Sequence, residues 1–130
     1  MENQLEKWLA DYLEKYNQAL KVISADIILP LLSKFVQACK HKKQIFVFGN
    51  GGSASNASHF VTDFAKGAGD AVGKKIKAIS LNENVSLITA IGNDFSYEDI
   101  YSKQLANLSE PGDIVFTLSV SGNSPNLVKA

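Results

Sequence analysis

The stretch Ile45–Asp63, IFVFGNGGSASNASHFVTD, decides the fold. Its first four residues, Ile45-Phe46-Val47-Phe48, form an apolar run that ends abruptly in Gly49-Asn50-Gly51-Gly52-Ser53. A short apolar run bounded by glycines predicts a buried strand. Ala54, Ala57, Phe60, Val61 and Phe64 then recur at helical spacing. The unit is strand, glycine turn, helix. Such a turn points backbone N–H groups outward at a helix N-terminus, where the helix dipole adds positive potential. Glycine lets a ligand approach the main chain closely. Ser53 and Ser55 add hydroxyl donors, so the stretch predicts a seat for an anion, a phosphate above all.

Upstream, Leu5, Trp8, Leu9, Tyr12, Leu13, Tyr16, Leu20 and Ile23 fall on one wide stripe of a helix from about Glu2 to Ile23. The stripe either packs on its own domain or covers part of another subunit. Ser24 or Asp26 caps a second helix, with Pro30 in or near its first turn. That helix ends in the basic cluster Lys40-His41-Lys42-Lys43. Cys39 and His41 read as a small buried thiol and a solvated basic end rather than as metal ligands.

Downstream, the helix after the glycine turn is expected to stop near Lys66-Gly67-Ala68-Gly69. Ile76 to Leu81 reads as a short strand. Asn82-Glu83-Asn84 caps a helix that Gly92-Asn93-Asp94 breaks. Ser96 caps another helix, Tyr97 to Leu108. Ile114 to Ser119 reads as a third buried strand. It runs into a second polar turn, Ser119-Val120-Ser121-Gly122-Asn123-Ser124, and Pro125 opens a last helix. Alternating strands and helices predict a parallel α/β sheet behind an N-terminal helical pair. In such sheets ligands sit at the carboxyl ends of the strands, so both polar turns should share one edge. The last helix has only begun at Ala130, and the reading expects a truncated chain.

The whole chain bounds the function. It has 130 residues, with 13 Lys plus Arg against 13 Asp plus Glu. Zero formal charge gives no general pull toward nucleic acid or an anionic membrane. The segment MENQLEKWLADYLEKY is too polar for a signal peptide, and no apolar run is long enough to span a bilayer. Cys39 is the one cysteine, which leaves no intrachain disulfide. A soluble cytoplasmic protein of one domain is expected, its helices at 1–43 and an α/β core at 44–130.

Three segments carry a resemblance: GNGGSASNASHF (Gly49–Phe60), AIGNDFSYEDIYSKQL (Ala90–Leu105) and LSVSGNSPNLVKA (Leu118–Ala130). They resemble the sugar isomerase (SIS) domain proteins and, within them, the phosphoheptose isomerases. The resemblance implies a flavodoxin-like fold, a homotetramer with sites between subunits, and isomerisation of sedoheptulose 7-phosphate for surface polysaccharide synthesis. It implies that Asn50, Gly51, Gly52 and Ser53 line the sugar phosphate site. It implies substrate contacts from Asn93, Asp94, Ser119, Val120, Ser121 and Ser124, although Val120 stands where the family often has Thr. It further implies zinc, with His59 and Asp63 as ligands and Asp63 as catalytic base. The family places Glu where Asp63 stands, one methylene longer. The other family ligands and the catalytic acid are not among these residues, so the metal site is incomplete and the 130-residue chain is expected to be inactive by itself. Two other readings stand beside this one. One is a non-catalytic phosphosugar-binding module that regulates a partner protein. The other is a dinucleotide-binding domain, since Gly49–Ala54 fits G-x-G-x-x-A, with Glu83 as a late and poorly placed acid.

Overall fold

A computed structural model describes residues 2–130. The chain divides into two compact units, one up to Lys34 and one from Phe35 to Ala130.

The first unit holds α1 (Glu2–Lys21) and the start of α2 (Ala25–Lys40). The helical spacing of the sequence is borne out. The Ser24 carbonyl accepts from the amides of Ile27 and Ile28, so Ser24 is the cap. Pro30 lies inside α2, not in its first turn. Every residue from Asn3 to Lys34 is exposed. Trp8 stacks on Tyr12 at 5.6 Å between ring centroids, and Tyr12 on Tyr16 at 6.4 Å. These rings meet because residues four apart share one helix face.

The second unit is built on a parallel sheet of β1 (Ile45–Gly49), β2 (Ala78–Ser80) and β3 (Ile114–Leu118), in the order β2-β1-β3. Strand β1 is central and all five of its residues are buried. Its alternate side chains feed two cores. Phe46 and Phe48 pack with Leu81, Ile91, Ile100, Tyr101, Leu105 and Leu127. Ile45 and Val47 pack on the opposite face with Phe35, Ala38 and Ala57. Each fully buried large side chain contributes about 1.5–3 kcal/mol. Those two layers place helices on both faces of a parallel sheet, the α/β class that the alternation of strands and helices predicts.

Several boundaries differ from the sequence reading. Helix α3 (Gly52–Thr62) does not end near Gly67. It continues through a π-helical segment, Asp63–Ala68, into α4 (Gly69–Val72). The stop is Gly73, whose φ of 61° is left-handed. Gly69 keeps a helical φ of −58°, since glycine permits a break without compelling one. Strand β2 is shorter than expected. Helix α5 (Val85–Asp94) runs through Gly92, Asn93 and Asp94 rather than breaking there, with its N-terminus capped as predicted by Asn84 accepting from the Leu87 amide. The Tyr97–Leu108 helix is split into a 3₁₀ turn, Tyr97–Asp99, and α6 (Ser102–Leu108). Ser96 caps the 3₁₀ turn through its backbone carbonyl, which accepts from the Asp99 amide at 3.0 Å, while its hydroxyl donates to the Asp99 carboxylate at 2.7 Å instead of accepting from a backbone amide. Strand β3 is half-buried, with Val115 and Thr117 exposed between Ile114, Phe116 and Leu118. Among the described residues it pairs with β1 alone, so one of its hydrogen-bonding edges is left unpaired. Helix α7 (Pro125–Lys129) follows the second polar turn.

Candidate phosphosugar site

Strands β1 and β3 pair in parallel with Gly49 opposite Leu118. The two polar turns therefore leave the sheet at the same edge. Strand order reverses across β1, and the crevice outside such a reversal is where open α/β sheets bind ligands. A pocket of about 270 Å³ lies there, lined by Asn50, Ser53, Leu118, Ser119, Val120, Ser121, Ser124 and Leu127.

The first turn is held from behind. The amide of Asn82 grips both backbone groups of Gly49: Oδ1 accepts from Gly49 N at 3.2 Å, and Nδ2 donates to Gly49 O at 2.9 Å. The side chain thus extends the β2–β1 ladder by one rung. The Tyr101 hydroxyl donates to the same carbonyl at 2.6 Å and accepts from Asn82 Nδ2 at 2.7 Å. Burial pushes the Tyr101 phenol up from its usual range, against the opposing hydrogen bond from Asn82. Gly51 takes φ 55° and ψ −124° at the head of α3, and no side chain caps that N-terminus. The Asn50 and Gly51 carbonyls accept the amides of Ser53 and Ala54, both at 3.0 Å. The Ser55 amide also donates to the Gly51 carbonyl, so among the first amides of α3 it is that of Gly52 that is left without a backbone acceptor at the dipole's positive end.

The second turn is shaped by its own hydroxyls. Ser119 Oγ accepts from Gly122 N at 3.0 Å, and Ser121 Oγ from Asn123 N at 3.3 Å. Their hydroxyls lie 3.5 Å apart, so one proton can bridge the pair and the other is left to donate to an anion. Val120 is fully exposed at the tip and offers only its backbone. Ser124 is the N-cap residue of α7 and makes no side-chain cap bond.

Asn93 and Asp94 do not line this pocket. They are exposed at the end of α5, where Asn93 Nδ2 donates to Asp94 Oδ1 at 2.9 Å. His59 and Asp63 share a face of the α3 run, with Nε2 and Oδ2 3.3 Å apart and both side chains largely open. They line a separate cavity of about 470 Å³ with Asn56, Phe60, Phe64, Ala68 and Leu118. Leu118 borders both cavities. Among the described residues, no cluster of three or more His, Cys, Asp or Glu side chains could hold a metal. A structural or catalytic zinc needs at least three protein ligands. The imidazole and carboxylate fit two positions of such a site and do not complete it. His41 is exposed, as the sequence reading has it, whereas Cys39, expected to be buried, is half-buried where it packs on the Phe35 core.

Four residues of the site escaped the sequence reading: Asn82, Tyr97, Tyr101 and Asn126. The signal was faint. Each is a polar or phenolic group at the end of a strand or the start of a helix, a place that ordinary caps also occupy. Asn82 also bears on the dinucleotide reading. A nucleotide-binding sheet of that kind needs an acid near the end of its second strand. Here Asn82, spent on Gly49, follows β2, and the neighbouring Glu83 is exposed.

The chain is 40% identical over 118 residues to a probable phosphoheptose isomerase of Thermoplasma acidophilum, covering 91% of this chain and 64% of that relative. It is 37% identical to the phosphoheptose isomerase of Methylibium petroleiphilum, over all of this chain and 64% of that one. It thus spans somewhat under two thirds of these curated relatives. Among solved structures, a phosphoheptose isomerase from Francisella tularensis superposes with a TM-score of 0.86 at 28% identity, covering 97% of this chain and 66% of that one. One from Neisseria gonorrhoeae gives 0.82, also at 28% identity, covering 98% and 65%. No helix among the described residues is long and apolar enough to cross a membrane. The SIS domain family model matches residues 11–130, both polar turns included, and the chain belongs to that family.

Proposed function

We propose that this chain binds a sugar phosphate between its two polar turns and forms part of a phosphoheptose isomerase. The reaction would interconvert sedoheptulose 7-phosphate and D-glycero-D-manno-heptose 7-phosphate, in the cytoplasm, for surface polysaccharide synthesis. One observation carries the reading: Ser53 of the first turn and Ser119, Ser121 and Ser124 of the second line one pocket at the sheet's switch point. The phosphate supplies binding energy from a group that does not react. Aldose–ketose isomerisation moves a proton between adjacent carbons through an enediol. Asp63 is the base in this reading, and His59 beside it fixes the carboxylate's orientation. His59 and Asp63 would also supply two ligands to a zinc ion, which when bound would act as a Lewis acid toward the sugar oxygens. Asn93 and Asp94 would reach the sugar from the end of α5. Residues 1–130 are read as one SIS domain, with helices at 1–43 before the core.

Titration of sedoheptulose 7-phosphate into the ¹⁵N-labelled chain tests the reading. The amides of Gly51–Ser53 and Ser119–Ser124 should shift together. Changing Ser119 and Ser121 jointly to Ala should weaken binding about tenfold to a hundredfold, the usual worth of hydroxyl bonds to a charged group. Shifts confined to other surfaces would overturn it. Binding by the longest product of the reading frame without any turnover would favour the regulatory module, a reading kept open by the shorter Asp63.

Self-association belongs to the same proposal, with a homotetramer as the expected form. Trp8, Tyr12 and Tyr16 are 60%, 52% and 53% exposed in one row on α1. A contiguous apolar surface of this kind marks an interface. Sedimentation should show an oligomer at micromolar protein, and Trp8→Glu with Tyr12→Glu should dissociate it. A stable wild-type monomer would count against it.

A further inference from the structure

Asn50 and Asn126 form a closed amide pair. Asn50 Nδ2 donates to Asn126 Oδ1 at 2.9 Å, and Asn126 Nδ2 donates to Asn50 Oδ1 at 2.8 Å. The Tyr97 hydroxyl donates to Asn50 Oδ1 as well, at 3.2 Å. Asn126 is only 2% exposed and sits on α7, two residues after Ser124. Asn50 lies on the first turn, and both Asn50 and Ser124 line the pocket. The pair is a polar tie between the first turn and α7, beside the apolar contact that Leu127 makes with the core. A second tie holds the far end of α7: Lys129 Nζ lies 3.0 Å from Asp99 Oδ1. Hydrogen bonds from Ser96 and then Lys129 hold the Asp99 carboxyl below its usual range.

We propose that Asn126 is a positioning residue that sets the spacing between the two phosphate-binding turns by latching onto Asn50. The inference rests on the phosphosugar reading of the pocket. It deepens that reading in one respect: the side chain of Asn50 is spent on the latch, so the first turn serves ligand through backbone and through Ser53. An amide pair suits the task because both bonds require one approach and one orientation, whereas apolar contact tolerates sliding.

The test uses two variants. In Asn126→Ala the amides of Gly51–Ser53 should shift in ¹H–¹⁵N spectra together with those of α7, although no substituted atom touches them. Affinity for sedoheptulose 7-phosphate should fall about tenfold, the worth of one to two such bonds. Asn126→Ala added to Asn50→Ala should then cost little more than Asn50→Ala alone. Amides of the first turn that stay in place, or losses that add in the double variant, would overturn the latch. Asn126→Asp keeps the side-chain size and serves if the alanine variant does not fold. As a carboxylate it sets an oxygen against Asn50 Oδ1; as a carboxylic acid it can again donate there. Its affinity relative to wild type at the same pH should therefore recover as the pH falls through the carboxyl's titration, which burial moves upward. A ratio flat with pH would mean that Asn126 only fills space. If wild type itself fails to bind the sugar phosphate, the phosphosugar reading falls, and the spectra of Asn126→Ala alone decide the latch.

Discussion

Gly49→Ala should cost about 3 kcal/mol of stability or more, enough to unfold much of the second unit under mild denaturant. A Cβ at Gly49 would lie 2.7 Å from the Leu118 carbonyl oxygen and 2.8 and 2.9 Å from Cβ and C of Ser53. Two of these three atoms are backbone, one in β3 and one in α3, so no side-chain rotation relieves the clash. Relief would need β3 to part from β1 or α3 to move off the strand end. Either change opens the edge on which both turns depend. Gly51→Ala is the informative contrast. A Cβ there meets nothing within 4 Å, and the cost is that of a side chain at φ 55° and ψ −124°, outside the left-handed helical region, about 1–3 kcal/mol. Urea midpoints of the two variants decide the matter. A Gly49→Ala midpoint at or above that of Gly51→Ala would show that close approach is not what fixes glycine at position 49.

Asp63→Asn should lower turnover of sedoheptulose 7-phosphate by about a hundredfold to ten-thousandfold in the longest product of the reading frame, the usual worth of a positioned acid or base. Affinity should change little, because Asp63 does not line the phosphate pocket. Stability should stay within about 0.5 kcal/mol, since the carboxylate is largely solvated and an exposed pair with His59 is worth little. A loss in kcat with KM and melting temperature held is therefore the signature of the base. Asp63→Glu lengthens the arm by one methylene and should match or exceed the native rate. Equal turnover by Asp63→Asn would remove Asp63 from the chemistry and leave the chain as a binding module.

The glycine turn, the second serine turn and their common edge were legible in residue order alone. Apolar runs cut off by Gly49 and by Ser119, with helical segments between them, predict parallel strands joined through helices, and parallel strands end on the same side. That is local chemistry plus topology, and it fixed the pocket formed by Ser53, Ser119, Ser121 and Ser124. The pairing of His59 with Asp63 was equally legible, because helical spacing by itself puts residues four apart on one face.

Helix punctuation was less so. Gly67, Gly69 and Gly92 sit inside helical segments because glycine lowers the cost of a break without imposing one, and tertiary packing, of Phe64 on the Phe35 core and of Ile91 in the core with Ile100, holds the helices through them. What only the tertiary structure decided is the polar scaffold behind the turns. Asn50 meets Asn126 across 76 residues of chain, and Gly49 meets Asn82 across 33 and Tyr101 across 52. No periodicity encodes such partners. An asparagine at a turn has the same local signature whether it caps a helix, faces solvent or closes a buried amide pair. Only the fold, by denying these groups water, makes the pairing compulsory.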